Sequence, residues 1–201
     1  MQKQQPLTVG LTGVMGCGKT LISKIFAHFG VPVYYSDDNA KKLYKNKEVI
    51  LQIQTLFGDD VITNGQLDKK KLADIVFNDS NALQRLNNYI HPLVKLDFEN
   101  WAKYQNCPYI IIESAIIHEI GWQHLLDKVI CVFSPIDLIL QRVKQRDNQT
   151  EEEIVKRINS QMPQKLKIEK SDYTIINDNC RLVIPQAREI HQNLLDIANN
   201  R

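Results

Sequence analysis

Long apolar runs are absent from this sequence of 201 residues. No stretch approaches the roughly 20 apolar residues that a membrane-spanning helix needs. The opening residues, MQKQQPLTVG, also lack the apolar core of a secretory signal peptide. We therefore expect a soluble cytoplasmic protein that has no membrane partner.

Closely spaced cysteines and an excess of one charge are also missing. The four cysteines, at positions 17, 107, 131 and 180, form no C-x-x-C pair, so a zinc site is not expected. The net charge of +2 is too small to indicate nucleic acid as the main partner. With 43% hydrophobic and 24% charged residues, the composition is that of an ordinary globular protein, and we expect a monomer.

Strand and helix patterns alternate along most of the chain. Apolar runs predict five strands, at 7–12, 31–36, 109–115, 128–134 and 173–177. Amphipathic patterns predict helices at 21–30, 137–147, 151–162 and 183–200. This alternation predicts an α/β fold in which helices cover both faces of a parallel five-stranded sheet.

The stretch 37–106 differs, because its pattern is mostly helical and contains no strong strand. The residues GDDVITNG, at 58–65, predict a break in that pattern. Pro92 predicts a helix end, because proline removes a backbone donor and restricts the residue before it.

Three glycines occur within six residues, in the segment GVMGCGKT at 13–20, which fits G-x-x-x-x-G-K-[ST]. Glycine lets backbone amides close around a phosphate chain, and the following helix directs its positive end at the same phosphates. Lys19 is predicted to reach the β- and γ-phosphates, and the Thr20 hydroxyl to ligate Mg²⁺. The motif therefore predicts ATP and Mg²⁺, with the loop contacts made by Gly13, Met15, Gly16, Cys17, Gly18, Lys19 and Thr20.

Cys17 raises a secondary hypothesis. A thiol near a helix N-terminus can have a lowered pKa, and its oxidation would then block nucleotide binding. The alternative, which we favour, is that Cys17 is a small side chain tolerated in the loop.

A phosphate loop alone admits several classes of protein. A GTPase needs N-K-x-D, whereas the only Asn-Lys pair here continues as Glu48-Val49. An ATPase motor needs an acid at the end of a buried strand, which Glu113 provides, but a chain of this length leaves little room for an assembly module. Glu113 is either a polar strand end or a group that helps to organise magnesium. A small-molecule kinase and a nucleotide-gated binding protein remain.

Two further regions suit a kinase, although each has a simpler explanation. Asp37 follows the second strand, at the edge where open α/β sheets bind ligands. It either orients an acceptor hydroxyl or caps a helix that begins at Asn39. Arg142 and Arg146 share a helix face. They either belong to a lid that closes over phosphates or pair with the glutamates at 151–153.

Six segments carry a specific pattern: VGLTGVMGCGKT, VPVYYSDDNAKKLY, RLNNYIHPLV, SAIIHE, VFSPIDLILQRVKQRD and SDYTIINDN. In their order and spacing the chain resembles the dephospho-CoA kinases, from about residue 8 to residue 197. The resemblance implies ATP-dependent phosphorylation of the ribose 3′-hydroxyl of dephospho-CoA, the last step of coenzyme A synthesis. It also implies a P-loop kinase fold, with a core formed by 1–36, 107–141 and 171–201, a helical acceptor domain at 37–106 and a lid at 142–170.

The resemblance also implies roles for individual residues. Asp37, Lys19 and Arg142 are the catalytic group, in which Asp37 positions the hydroxyl rather than removing its proton early. Arg142, Arg146 and Asn177 join the loop in binding ATP. The remaining acceptor-side residues are His91, Pro92, Ile116, Ile117 and Glu119.

Some positions depart from the family pattern. Tyr35 stands where the family often has the first Asp of D-x-D, so Thr20 and water are expected to carry more of the magnesium coordination. Ser114-Ala115 replaces the usual residue and proline before the acceptor loop. Lys165 and Lys167 stand where arginines are common, which makes a bidentate phosphate grip there less favourable.

Two rival functions make different predictions. A nucleoside monophosphate or shikimate kinase would carry an arginine-rich clamp in the helical insert, yet the insert contains only Arg85. A nucleotide-gated binding protein with no transfer activity would tolerate replacement of Asp37.

Overall fold

The computed structural model describes residues 5–147 and 150–201. The strands are β1 (Leu7–Thr12), β2 (Val33–Tyr35), β3 (Ile62–Thr63), β4 (Gln66–Leu67), β5 (Tyr109–Glu113), β6 (Lys128–Phe133) and β7 (Tyr173–Ile176). The helices are α1 (Lys19–His28), α2 (Ser36–Leu43), α3 (Lys47–Phe57), α4 (Lys69–Asn78), α5 (Ser80–Lys103), α6 (Ile136–Asp147), α7 (Glu151–Asn159), α8 (Gln164–Glu169) and α9 (Val183–Asn199). Short 3-10 turns occupy Asp59–Val61 and Trp122–Leu125.

The five strands predicted from the sequence form one parallel sheet, in the order β2-β5-β1-β6-β7. This confirms the predicted α/β class. β1 lies between β5 and β6, with Leu11 opposite Glu113 and Thr12 opposite Cys131. The chain therefore leaves β1 where the strand order reverses, which is the position where such sheets bind ligands.

The carboxyl ends of the strands form the edge of interest, and burial of the sheet on both faces holds that edge in place. Ile110, Ile111 and Ile112 on β5 are fully buried although they point alternately to opposite faces. The helices α1 and α9 pack against each other and against the sheet through an apolar core. The carboxyl ends of the central strands are thus held firmly, and they bring residues following β1, β5, β6 and β7 to one edge.

The chain divides into two compact units. One comprises the described residues up to Tyr35 together with Tyr104–Arg201, and the other is Ser36–Lys103. The second unit is close in extent to the helical insert predicted at 37–106. The lid predicted at 142–170 stays a prediction, and it includes positions 148 and 149, which lie outside the described residues.

The helical unit is organised around α5, which packs against α2, α3 and α4. The predicted break at 58–65 is confirmed, because α3 ends at Phe57 and the chain continues into a hairpin of β3 and β4. Asn64 and Gly65, between these strands, both have positive φ, as a tight hairpin turn requires. The two-residue strands themselves were not predicted.

The prediction that a helix ends at Pro92 is wrong. Pro92 lies inside α5, a single helix of 24 residues. The apolar residues Leu86, Ile90, Val94 and Phe98 recur every four positions on both sides of the proline, and all four are buried. Burial of this continuous stripe outweighs the backbone hydrogen bond that proline removes. The helix expected from Asn39 also begins earlier, at Ser36.

In the part of the chain that the structure describes, no helix combines the length and the apolar character needed to cross a membrane.

Replacing Pro92 with alanine is expected to stabilise the helical unit by about 1–3 kcal/mol, because it restores a donor in the helix interior and removes a steric conflict. Chemical and thermal unfolding followed by circular dichroism would measure this change. Pro185 provides a matched control, because it lies in the first turn of α9, where the missing amide has no intrahelical acceptor. Equal or smaller stability of Pro92→Ala compared with Pro185→Ala would contradict the explanation.

Candidate active site

The loop between β1 and α1 has a shape that only glycine permits at three positions. Gly13, Gly16 and Gly18 have φ values of 142°, 77° and 105°, in the region that side chains disfavour. A Cβ atom at Gly13 would lie 2.4 Å from the carbonyl oxygen of Val132, and one at Gly18 would lie 2.2 Å from Asn177 Nδ2. The loop therefore lies directly against β6 and the residue after β7, with no room for larger residues.

Lys19 brings a positive charge across this loop. It is the first residue of α1, and its Nζ donates to the carbonyl oxygens of Gly13, at 3.0 Å, and Val14, at 3.2 Å. Thr20 follows in the first turn and is exposed. A helix N-terminus and an ammonium group directed at the same loop favour a bound anion. The phosphate-loop interpretation thus has the local geometry it needs.

Asn177 supports the loop from the end of β7. Its side chain is buried, and Nδ2 donates to the carbonyl oxygen of Cys17 at 2.8 Å. This contact fixes the backbone between Gly16 and Gly18. The sequence suggested Asn177 as an ATP-binding residue, and the structure gives it a supporting contact that the sequence had not indicated.

The secondary hypothesis of an activated thiol at Cys17 is wrong on its central assumption. The side chain is fully buried, and this burial raises the pKa of the thiol despite the opposing effect of the Lys19 charge. Cys131, which lies opposite Thr12 on β6, is also buried, and burial raises its pKa to about 12. Cys17 therefore takes part in the loop as a small, protonated side chain.

Oxygen ligands suitable for magnesium lie at the same edge. Glu113 ends β5 beside Leu11, and its charge contributes to the raised pKa of Cys17, after the larger effect of burial. Among the described residues, no cluster of three or more His, Cys, Asp or Glu side chains could hold a metal ion. The Thr20 hydroxyl and the Glu113 carboxylate nevertheless suit Mg²⁺, which usually takes only one or two protein oxygens together with phosphates and water.

The hydroxyl of Thr12 was missed by sequence reasoning. Thr12 ends β1 immediately before the loop and is fully buried, and its Oγ1 has no hydrogen-bond partner within the described residues. A polar atom in this position is a further oxygen that a bound ligand can engage. In the sequence Thr12 is an ordinary residue of a predicted strand, so no sequence pattern indicated that its hydroxyl would lack a partner.

Arg142 is held firmly at the neighbouring strand ends. Its guanidinium donates to Ser134 Oγ at 3.0 Å, to the carbonyl oxygen of Asn177 at 3.3 Å and to Asn179 Oδ1 at 2.6 Å. Ser134 Oγ also donates to the Asn177 carbonyl oxygen, at 2.8 Å. The arginine is therefore oriented by residues that follow β6 and β7, and it shares Asn177 with the phosphate loop.

Arg146 has a different environment, one turn further along α6. It donates to both carboxylate oxygens of its neighbour Asp147, and its side chain is 63% exposed. The glutamates at 151–153, suggested as partners, form the first turn of α7, where Glu153 closes a capping box with Thr150. The two arginines thus differ in how strongly the described structure fixes them.

The segment after β5 contains three of the predicted acceptor residues. Ile117 is fully buried, whereas Ile116 is partly exposed, so of these two isoleucines only Ile116 has a side chain that a ligand could reach. The Glu119 carboxylate accepts from Lys167 Nζ at 2.6 Å and 2.7 Å and from the Met162 amide at 2.9 Å. Lys167 is therefore bound within the protein, and it does not project towards solvent.

The helical unit carries the other predicted acceptor residues. Asp37 is exposed in the first turn of α2, where the helix N-terminus favours a negative charge. Its neighbour Asp38 pairs with Lys41 at 2.9 Å. His91 and Pro92 are adjacent on α5, and partial burial lowers the pKa of His91, which favours its neutral form. Their roles stay predictions.

Comparison with known proteins identifies close relatives. The model of the dephospho-CoA kinase family matches residues 7–182. A dephospho-CoA kinase of Bacteroides fragilis is 38% identical over 186 residues, which cover 92% of this chain and 91% of that protein.

Solved structures give the same result. The structure of TT1252 from Thermus thermophilus aligns with a TM-score of 0.87 at 26% identity, covering 94% of this chain and 98% of that one. A dephospho-CoA kinase from Campylobacter jejuni aligns with a TM-score of 0.66 at 25% identity, covering 94% and 97%. The predicted P-loop kinase fold and the predicted resemblance are both confirmed.

Gly18→Ala is expected to weaken ATP binding at least about tenfold, because the new Cβ would strain the backbone and displace Asn177 from the loop. Isothermal titration calorimetry with ATP and Mg²⁺ measures this. Gly65→Ala is the matched control, since its φ of 73° imposes similar backbone strain while no atom lies within 4 Å of the new Cβ. Equal ATP affinities in the two variants would show that the contact with Asn177 is unimportant.

The thiols are expected to react in order of exposure at pH 8, because only the thiolate is nucleophilic and burial keeps Cys17 and Cys131 protonated. With a chromogenic disulfide reagent, Cys180 should react first, Cys107 more slowly, and the two buried thiols only on unfolding. A Cys180→Ser variant should lose the fast phase. Fast modification of Cys17 in the folded protein would restore the activated-thiol hypothesis.

Proposed function

Because the chain belongs to the dephospho-CoA kinase family, it phosphorylates dephospho-CoA to give coenzyme A, and we propose that the phosphate loop, Arg142 and Asp37 carry out the transfer. The observation that carries this proposal is the loop itself, with Lys19 held across it and three strained glycines packed against the sheet edge. Kinases of this kind use ATP as the donor and transfer its γ-phosphoryl group to the acceptor.

The loop binds the triphosphate of ATP in this proposal. Backbone amides between Gly13 and Thr20 surround the β-phosphate, and the Lys19 ammonium moves from two loop carbonyls onto phosphate oxygens. Thr20, with Glu113 through water, would hold Mg²⁺, which supplies positive charge against the phosphate oxygens. Phosphoryl transfer needs mainly such positioning and charge stabilisation from the protein.

Arg142 stabilises the transferring group. A guanidinium offers a rigid, planar pair of N–H donors that fits two oxygens of a phosphoryl group, whereas a lysine ammonium has no such fixed pair. Its contacts with Ser134, Asn177 and Asn179 place it before the reaction begins. These contacts use both terminal nitrogens of the guanidinium, so some of them are exchanged for phosphoryl oxygens during transfer. Arg146, which is more exposed, gives weaker support at the ATP phosphates.

Asp37 orients the ribose 3′-hydroxyl for attack on the γ-phosphoryl group. It follows β2 by two residues, at the carboxyl end of a strand of the nucleotide-binding sheet. Because the transition state is loose, the carboxylate accepts the hydroxyl hydrogen bond and fixes its direction, and it receives the proton late.

The other acceptor contacts are assigned to His91, Pro92 and Ile116. Neutral His91 can donate one hydrogen bond and accept another, which suits a polar acceptor such as dephospho-CoA. Ile117 and Glu119 act indirectly, because the first is buried and the second is bonded to Lys167. We further propose that the enzyme works in the reducing cytoplasm, where its free cysteines remain thiols.

Asp37→Asn is expected to lower kcat about 10²–10⁴-fold with dephospho-CoA, because the neutral amide cannot take up the proton and its oxygen is a weaker acceptor for the hydroxyl. Release of ADP from ATP and Mg²⁺ measures this, with Lys19→Ala as an inactive reference. Asp38→Asn is the matched control, since this adjacent exposed carboxylate pairs only locally with Lys41.

The same assay separates the alternatives when adenosine, nucleoside monophosphates and shikimate are offered as acceptors. Faster turnover of one of these than of dephospho-CoA would favour another small-molecule kinase. An Asp37→Asn variant as active as its Asp38→Asn control would show that the acceptor group has been wrongly assigned.

A further inference from the structure

Lys167, on α8, is a fully buried lysine in the nucleotide-binding unit. Its ammonium lies 2.7 Å from the carbonyl oxygen of Ala115 and 2.6 Å and 2.7 Å from the two carboxylate oxygens of Glu119. A lysine ammonium has three hydrogens, so these contacts use all of its donors. The charge is therefore fully satisfied without water.

Stability alone is a weak reason for such a pair. Removing the ammonium from water is costly even though the Glu119 side chain keeps 22% of its surface exposed, and an apolar pair of similar size often supports a fold equally well. What the ion pair adds is direction, because Glu119 and the Ala115 carbonyl must both point at one ammonium. The pair therefore fixes the backbone of the segment at 114–121, which we call the β5 loop.

A second set of contacts joins this pair to the phosphate loop. The Met162 amide donates to Glu119 Oε1 at 2.9 Å. The preceding residue, Gln161, accepts through its Oε1 from the Met15 amide, also at 2.9 Å. The segment at 161–167, which we call the strap, thus contacts the phosphate loop through Gln161 and the β5 loop through Met162 and Lys167.

The far end of the strap is closed by another contact. Ser171 Oγ donates to the carbonyl oxygen of Lys167 at 2.7 Å and lies 3.0 Å from His118 Nε2. His118 is itself buried in the β5 loop. The β5 loop is consequently held on both sides of Ile117. Lys167 contacts Ala115 before it and Glu119 after it, and Ser171 contacts His118.

We propose that Gln161 and Lys167 are positioning residues, which hold the phosphate loop and the β5 loop in a fixed relation through the strap. Gln161 sets the loop that binds ATP, and Lys167 sets the loop that presents Ile116 to the acceptor. Transfer is sensitive to small misplacements of the reacting groups, so both residues act on rate without touching either substrate. This inference rests on the function proposed above.

The Lys167 contact is tested with a single and a double variant. Lys167→Met leaves Glu119 without its partner and should lower the thermal midpoint. Adding Glu119→Leu removes the remaining charge and should restore part of the midpoint, since the Met162 amide and the Ala115 carbonyl still lose their partners. The kcat/KM for dephospho-CoA should stay about ten- to hundredfold below the parent value. Lys128→Met is the control, because it breaks an ion pair with Asp172 at the start of β6, away from the carboxyl end where the site lies. It should leave kcat and the KM for dephospho-CoA unchanged.

The Gln161 contact is tested by Gln161→Met. Loss of one hydrogen bond to the loop should raise KM for ATP about three- to tenfold and leave the KM for dephospho-CoA and the thermal midpoint close to the parent values. Gln192→Met is the control, since Gln192 also makes a single side-chain hydrogen bond, from its Nε2 to Asp196 Oδ1 at 3.0 Å, within α9. This control should not change the KM for ATP.

Two results would overturn the inference. One is a double variant that regains the parent midpoint together with the parent kcat and both KM values, since the ion pair would then be purely structural. The other is an equal effect of Gln161→Met and Gln192→Met on the KM for ATP. If the parent protein failed to phosphorylate dephospho-CoA, the proposed function would fall. The affinity of Gln161→Met for ATP, measured by calorimetry, would still decide whether the strap sets the phosphate loop.

Discussion

The hydrogen bond from the Asn177 side chain to the carbonyl oxygen of Cys17 connects the end of β7 to the phosphate loop that follows β1. On one side it fixes a loop whose glycines leave no space for movement towards β6. On the other, the Asn177 backbone carbonyl receives Arg142 and Ser134. A buried amide with directional donors and acceptors can do this, whereas an apolar side chain could fill the space without aligning anything. The loop, the arginine and the end of β7 therefore share a common support.

The cationic side chains near the sheet edge are held in position by the oxygen atoms that each of them contacts. Lys19 rests on two carbonyl oxygens, Arg142 on three oxygen acceptors, and Lys167 on a carboxylate and a carbonyl. Each of these three cations thus has its position set by contacts within the protein. Cys17, in the same surroundings, remains a protonated thiol because burial dominates over the positive charge nearby.

The sequence allowed the fold to be predicted because its signals are local and repetitive. The apolar runs of β1, β5 and β6, the helix patterns and the glycine spacing before Lys19 each have one favourable structural interpretation. Pro92 misled the prediction, since the local cost of proline is visible in the sequence whereas the apolar stripe on which α5 packs is a property of the folded unit.

The support of the site could not be predicted in the same way. Asn177, Gln161 and Lys167 contact residues 160, 146 and 48 to 52 positions away in the chain, respectively, so no local pattern encodes their partners. Lys167 in particular has the spacing of a surface lysine on a short helix, and only tertiary burial gives it a different character. Family resemblance indicated where substrates should bind, but it did not indicate which groups hold the binding residues in place.

The contacts of Lys19 have a consequence for ligand discrimination. A free lysine side chain loses up to about 2 kcal/mol of rotational freedom when a ligand immobilises it. In this protein folding has already imposed that loss, so an incoming polyphosphate encounters a prearranged cation and must only outcompete two neutral carbonyl oxygens. A weakly charged molecule gains little from that exchange, so the prearranged ammonium favours densely anionic ligands.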